Sequence, residues 1–524
     1  MASPFMFSGR SRRCTTITVL IASFSVGAVI YALFVQFPQS SPFSAFPDAP
    51  IPDVPLDPPS FPPESGPPAA PDTPHVLSAI DDLFRRQSTT FDEAVARYAL
   101  RNGRPPPPNY DRWFEFARAS KCLIDDYDQL YDDFAPFHQL AKLDPSYFKK
   151  MVEKGIQIAT GPEYLGIRTF KMRNHKFDRT DPWPDDPGYV ADWMVTIRNI
   201  SDWLPDMDLP ISMRDECRVQ VNVHDGRAAE DMLTPKDKLP FTNRPHPTYA
   251  YYGEEGHCLY PNDDKGFVDY ANNYTAFFLY STSQEFTTDL YPILSQGKIH
   301  PCFSDISFPS TYYYQRSRSS PKFNHADDVP WEDKQPVLYW RGSVAGGMIH
   351  GENYRAFPRF RLIDLSRAHP GTMNVALTRW NTWCDGPCDQ GAIEREYGFE
   401  TMGSPQEDLY KYRWAMDLDG HGWSGRFHGL LKSGSLVFKS TIFTEYFSQW
   451  LRPYEHYIPV RPDLTDLPEK LEWARTHDEE ARRIQQAGKE FVERVITDAQ
   501  NDCYFGLVLL EWARLQEMGK KGWW

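Results

Sequence analysis

The sequence has no basic stripe and no excess of positive charge. It carries 56 Lys and Arg against 71 Asp and Glu, a formal net charge of −15 with pI near 5.4. An acidic surface of this kind disfavours nucleic-acid binding, which depends on neutralising phosphates. There is no internal repeat, so a solenoid or propeller is excluded. Cysteine is sparse, eight in 524 residues, and no second Cys/His pair at metal spacing accompanies Cys384 and Cys388, which argues against a zinc site. Seven cysteines follow Cys14, an odd number. In an oxidising compartment at least one of them is unpaired or pairs between chains. Cys384 and Cys388 flank an Asp-Gly-Pro turn; a local bridge and two free thiols both fit that spacing.

One long apolar run stands out. Arg10, Arg12 and Arg13 precede Thr15–Phe37, about 23 residues without charge, which Pro38 ends. That length suits a bilayer span. The flanking arginines predict a cytoplasmic tail at 1–14, a transmembrane signal anchor at 15–37 and a translocated remainder. Residues 38–75 are a Pro-rich stem; 14 prolines between Pro38 and Pro74 preclude helix and sheet ladders. This layout points to a single-pass type II protein of the Golgi or ER membrane, with its globular part luminal. Two sequons then become glycan sites, Asn199-Ile-Ser and Asn273-Tyr-Thr.

The globular part reads as three regions. Residues 76–150 are helical: the pattern predicts helix from Ser78 to about Arg101 and again from near Tyr110, and Ile124, Tyr127, Leu130 and Phe134 share a face. Residues 151–330 and 331–524 each alternate strand and helix signals. The expected fold class is α/β, two Rossmann-like halves facing a cleft, closed by C-terminal helices in which Ile484, Ala487, Phe491 and Val495 line one face. Composition adds 41% hydrophobic and 15% aromatic residues, enough for a large core.

Two stretches carry chemistry. Leu338–Gly347 and Met416–Phe438 each read as a buried strand entering a Gly/Ser-rich turn beside an arginine. Small residues let backbone amides approach a phosphate, and arginine adds a fixed fork of donors. Two such devices in one half suggest a diphosphate ligand. In the other half, the strand Leu204–Met213 ends in Asp215 and Glu216, a carboxylate at a strand end where α/β proteins place catalytic groups. D-x-D patterns at Asp206–Asp208 and Asp417–Asp419 are a spacing of carboxylates that can hold a divalent cation such as Mn²⁺.

In order along the chain stand RPPPPNYDRWFEFA from Arg104, LPDMDLPISMRDE from Leu204, DISFP from Asp305, YWRGS from Tyr339 and RFRLIDLS from Arg359. YKYRWAMDLDGHGWSGRF from Tyr410, GSLVFKS and WLRPYEHYIPV from Trp450 follow. This ordered set, spanning roughly residues 100–510, resembles glycosyltransferase family 90, which holds fungal capsule-associated xylosyltransferase-like proteins and animal protein O-glucosyltransferases. The resemblance implies a GT-B-like enzyme that moves xylose or glucose from a UDP-sugar to a hydroxyl of a glycan or glycoprotein acceptor, with inversion and without a bound metal or other cofactor. It implies Asp215 as general base, with Glu216 as competitor. It also implies a UDP-sugar site at Ser343, Arg359, His421, Gly422, Trp423, Ser424, Gly425 and Arg426. Arg341 and Arg361 are alternative diphosphate arginines, and Glu445 is a candidate for the ribose hydroxyls. The sequence departs from the fungal members at Cys217, where they more usually carry proline. An inactive, membrane-tethered glycan-binding protein on the same fold is the alternative.

Overall fold

A computed structural model describes residues 79–518, apart from 164, 185–195, 225, 244–284, 319, 322, 326–327, 348, 350, 383, 385–387 and 401–404. The expected tail, membrane anchor and stem, and Asn273, lie outside the described residues. Among the described residues, no helix is long and apolar enough to cross a membrane.

Helices come first. α1 (Ala79–Arg85) and α2 (Phe91–Asn102) fill the expected helical stretch, divided where Thr90 starts a new helix. Its side chain accepts from Glu93 N while Glu93 accepts from Thr90 N, a capping box, and Gly103 ends the helix in the left-handed region at φ 62°. α3 (Tyr110–Ala119) begins where expected, after four prolines. α4 (Asp128–Leu143) starts later than Ile124, yet Ile124, Tyr127, Leu130 and Phe134 are all buried. α5 (Tyr147–Ala159) completes the group.

The first sheet contains β1 (Ile167–Arg173), β2 (Lys176–Arg179), β3 (Met207–Ser212), β6 (Leu294–Ser295) and β7 (Ile306–Ser307); β4 (Thr242–Asn243) and β5 (Glu285–Phe286) pair separately. Its order is β2-β1-β3-β6-β7. β3, β6 and β7 run parallel, but β1 is antiparallel to both β2 and β3. This half is therefore mixed rather than purely doubly wound. The cause is local: Asn174 and His175, both at positive φ, form a two-residue hairpin turn that sends β2 back along β1.

The second sheet is built from β8 (Gln335–Val344), α6 (Pro358–Ala368), β9 (Met373–Trp380), α7 (Gln390–Tyr397), β10 (Tyr412–Leu418), α8 (Phe427–Lys432), β11 (Leu436–Ser440) and β12 (Ile458–Pro459). All neighbours are parallel, in the order β12-β11-β10-β8-β9. The chain goes one way from β8 to β9 and the other way from β10 to β11. The reversal falls between β8 and β10, and crevices at such points, outside the carboxyl ends of the strands, receive ligands in doubly wound sheets.

α9 (Leu467–Thr476), α10 (Asp478–Val495) and α11 (Asp498–Glu517) close the chain. On α10, Ile484, Phe491 and Val495 are buried as expected, whereas Ala487 is only half-buried and Gly488 takes the inner position. α11 is buried on every side from Gln500 to Gln516. It packs against α3, α4, α5 and β3, and the Cys122–Cys503 disulfide fastens it to the segment after α3. Several of its polar groups are answered: Glu511 accepts from Tyr98 and His138, Asp502 pairs with Arg316, and Trp512 Nε1 donates to Asp208 O. Cys384 and Cys388 bridge locally, Cys302 is also disulfide-bonded, and Cys217 is a buried free thiol.

Candidate active site

The carboxyl ends of β8 and β10 are held together by one arginine. Arg359, in the first turn of α6, donates from Nε to Asp419 O at 3.0 Å and from Nη1 to Ser343 O at 2.7 Å. Gly420 makes this possible, because a Cβ there would sit 2.9 Å from Arg359 Nη2. Arg426, just before α8, donates from Nη1 to Arg341 O at 2.6 Å. Both guanidinium groups spend hydrogen bonds on carbonyls, and neither has a carboxylate partner among the described residues. Burial, and then the neighbouring Arg426 charge, lowers the Arg359 pKa to about 9; burial also lowers that of Arg426, against the pull of Asp417. Both remain cationic at neutral pH. They border a cavity of about 570 Å³ whose lining also includes Tyr339, Arg341, Ser343 and Arg379. A pocket with unneutralised buried cations at two strand ends suits a polyanion.

The loop Asp419–Arg426 is pinned from several directions. His421 donates from Nε2 to Asn381 O at 2.6 Å, and its Nδ1 accepts from Gly346 N at 3.5 Å. Burial lowers its pKa, as does Arg359, so the ring stays neutral and serves as a strap. Trp423 packs over Gly297, where a Cβ would lie 3.1 Å from its ring. Ser424 O accepts from Tyr313 OH at 3.3 Å, and a Cβ on Gly425 would lie 2.9 Å from the Tyr312 ring. The His421 bonds tie the loop to the second sheet, whereas the Trp423, Ser424 and Gly425 contacts join it to segments that follow β6 and β7 in the first.

Gly422 makes the remaining junction. A Cβ there would fall 2.4 Å from Asp215 O and 2.9 Å from Asp215 Cβ. Asp215 sits in the turn after β3, half-buried, and burial raises its carboxyl pKa while Arg214 opposes the shift. Glu216 is buried, and burial followed by the Asp215 charge pushes its carboxyl well above the usual range. Burial thus disfavours the charged form at both carboxyls, more strongly at Glu216 than at Asp215. The backbone beyond them is fixed by buried Asp305, whose carboxylate accepts from Arg218 N at 2.7 Å and Val219 N at 2.9 Å. That gives the DISFP motif a physical role that sequence reading alone does not assign.

Other sequence candidates lie elsewhere. Arg341 borders the cavity, but Glu400 pairs with it at 2.5 Å and Asn374 accepts two of its bonds. Arg361 donates to Asp463 O at 3.4 Å, outside the cavity lining. Glu445 is buried against Tyr313 OH, and burial raises its pKa to about 8. In the second D-x-D, Asp417 pairs with Lys439 at 2.7 Å and Asp419 accepts from Ile442 N at 2.9 Å. In the first, Asp206 accepts from Asn174 N, and Asp208 pairs with Arg173. Among the described residues no group of three His, Cys, Asp or Glu side chains is placed to hold a metal. Asn199 lies in an exposed turn, its Nδ2 donating to Asp502 at 3.1 Å. Gln296 Nε2 and Trp423 Nε1 are buried donors with no hydrogen-bond partner among the described residues, and Gln296 lies in none of the motifs.

Residues 304–521 match the family model described as "Glycosyl transferase family 90", which bears out the resemblance over that stretch. Similar curated proteins include Protein O-glucosyltransferase 2 of Danio rerio, 33% identical over 178 residues, 34% of this chain and 34% of that protein. Protein O-glucosyltransferase 1 of Rattus norvegicus is 30% identical over 193 residues, 35% of this chain and 43% of its own. Protein O-glucosyltransferase 3 of Homo sapiens is 27% identical over 178 residues, 34% of this chain and 33% of its own. The match thus spans between a third and under half of the length of these relatives.

Proposed function

We propose that this chain, whose residues 304–521 carry a family 90 transferase region, transfers a sugar from a UDP-sugar to a hydroxyl of a glycan or glycoprotein in the secretory pathway. The observation that carries the proposal is the seating of Asp215 against Gly422. It sets an ionisable carboxylate beside the loop that bears Arg426. The two sheets then form the acceptor and donor sides of a GT-B-like cleft.

The reaction is a single inverting displacement. The acceptor oxygen attacks the anomeric carbon and Asp215 takes its proton. The bond from that carbon to the diphosphate breaks, and UDP leaves with the electron pair. Proton removal by a positioned base is worth about 10² to 10⁴ in rate. Arg359 and Arg426 face the charge that develops on the diphosphate, and because their carbonyl partners fix them beforehand, little reorganisation is needed. Cations in these positions serve the leaving group without a metal ion. Glucose and xylose are the candidate donor sugars, glucose drawing support from the names of the relatives. A luminal location behind a single N-terminal anchor fits the disulfides and the apolar run at 15–37.

The deciding experiment compares Asp215→Asn with the unaltered protein. Loss of transfer with UDP affinity retained supports the reading. Retained turnover moves the base to Glu216, and absence of UDP affinity in the unaltered protein favours the inactive glycan-binding alternative.

A further inference from the structure

The first half holds a second cavity that the transfer reaction leaves unused. Its volume is about 460 Å³, within the range of pockets that enclose small ligands. It lies between α4, the segment around Val223–Met232 and the residues after β6. Pro136, Phe303 and the buried Asp133–Lys298 pair, at 2.5 Å, form its floor. Asp133 also accepts from Ser307 N at 2.8 Å and Gln129 Nε2 at 2.7 Å, so its charge is fully answered.

The rim is different. His224, His300 and Gln139 are exposed there, and the two imidazoles meet edge to face with centroids 5.7 Å apart. Burial, then the charge of Lys298, lowers the His300 pKa, leaving a neutral ring at neutral pH. A neutral imidazole donates from one nitrogen and accepts at the other, and an amide also does both. No unneutralised cation invites an anion, and no three ligands are grouped for a metal among the described residues. Groups that donate and accept around a floor where Pro136 and Phe303 present apolar surface and the ion pair is internally neutralised match a pyranose, with hydroxyls at its edge and C–H bonds on its face.

The cavity also adjoins the proposed donor loop. Lys298 exchanges backbone hydrogen bonds with Thr444 at 3.0 and 2.7 Å, and Gly297 lies against Trp423. Only the segment Gln296–Lys298 separates the cavity floor from that loop.

We propose that this cavity is an acceptor subsite for a neutral oligosaccharide, gripping a ring of the glycan at a distance from the hydroxyl that Asp215 activates. The proposal rests on the transferase reading. Saturation-transfer NMR and titration of the full-length protein with mannotetraose and xylotetraose test it, with an unglycosylated serine-bearing peptide as control and UDP-sugar hydrolysis followed in parallel. The expected result is binding of at least one tetrasaccharide, weakened roughly tenfold in both His300→Ala and Gln139→Ala, with hydrolysis unchanged. Equal affinity in the variants, no tetrasaccharide binding, or binding of the peptide alone overturns the subsite. The binding readout needs no turnover, so an unaltered protein that hydrolyses no UDP-sugar refutes the transferase reading separately.

Discussion

Gly422 and Asp215 are in contact across the two sheets, the glycine having no room for even a methyl group against the Asp215 carbonyl, 2.4 Å from where a Cβ would stand. The obstacle is backbone, so an added side chain must displace the turn that carries the carboxylate. Gly422→Ala is expected to lower transfer by about 10²-fold, the cost of misplacing a catalytic group by about 1 Å. UDP affinity should fall much less. Steady-state kinetics beside UDP titration measure both, and unchanged kcat would show that the contact does not position the base.

Asp215→Asn is expected to reduce kcat by about 10² to 10⁴ with UDP affinity preserved. Burial raises the Asp215 pKa, so the base is lost to protonation at a higher pH than a free aspartate, whose value is about 4. The acid limb of the kcat/KM profile should therefore lie above about pH 4. Glu216→Gln should keep most activity; its loss instead of Asp215's would reverse the assignment.

Arg426→Ala should weaken UDP binding about tenfold or more, since it removes a buried, charge-assisted donor. Arg361→Ala should leave UDP binding unchanged, because that side chain is directed to Asp463 O. Calorimetric titration of both variants distinguishes them, and equal losses would contradict the placement of the cavity.

EDTA should leave transfer intact. Asp417 is paired with Lys439 and Asp419 is bonded to Ile442 N, so the D-x-D in the second half is already engaged. Activity abolished by EDTA and restored by Mn²⁺ would defeat this expectation.

Thermal stability should decline as pH rises from about 5.5 to 8.5. The folded protein raises Glu445 to about 8 and Asp419 to about 7, in both cases chiefly by burial. Between the ordinary carboxylate range near 4 and these values the folded state holds protons that the unfolded chain releases, so stability is greatest at the acidic end. Glu445→Gln should flatten the slope of Tm against pH. A Tm that increased across this window would contradict the buried acid cluster.

Local features were legible. The four prolines announce α3, the buried stretch Leu204–Met213 announces β3, and the strand and Gly/Ser-rich turn read from Met416 correspond to β10 and its loop. Pairings over long sequence distances were not. Nothing local shows that β8 adjoins β10, or that Gly422 meets a residue more than 200 positions earlier, because sheet order is set by packing of whole helices and strands. The hairpin behind the mixed first sheet is weakly signalled: Asn174 tolerates positive φ, but His175 stands where the usual Asn-Gly turn has glycine. Arg359 and Arg361 could not be separated by motif alone, since their directions depend on where α6 settles on the sheet.

The burial of α11 has a consequence for how this protein can be divided. The family match runs from 304 to 521 and so includes α11, yet much of the surface covering that helix comes from α3, α4, α5 and β3, all encoded before residue 304. A fragment cut at the start of the match would present α11's apolar surface to water and lose the Cys122 partner of Cys503. The matched region is therefore not an excisable module: a truncation that preserves it must begin upstream of α3, and chimeras between relatives must exchange the N-terminal helices and the last helix together.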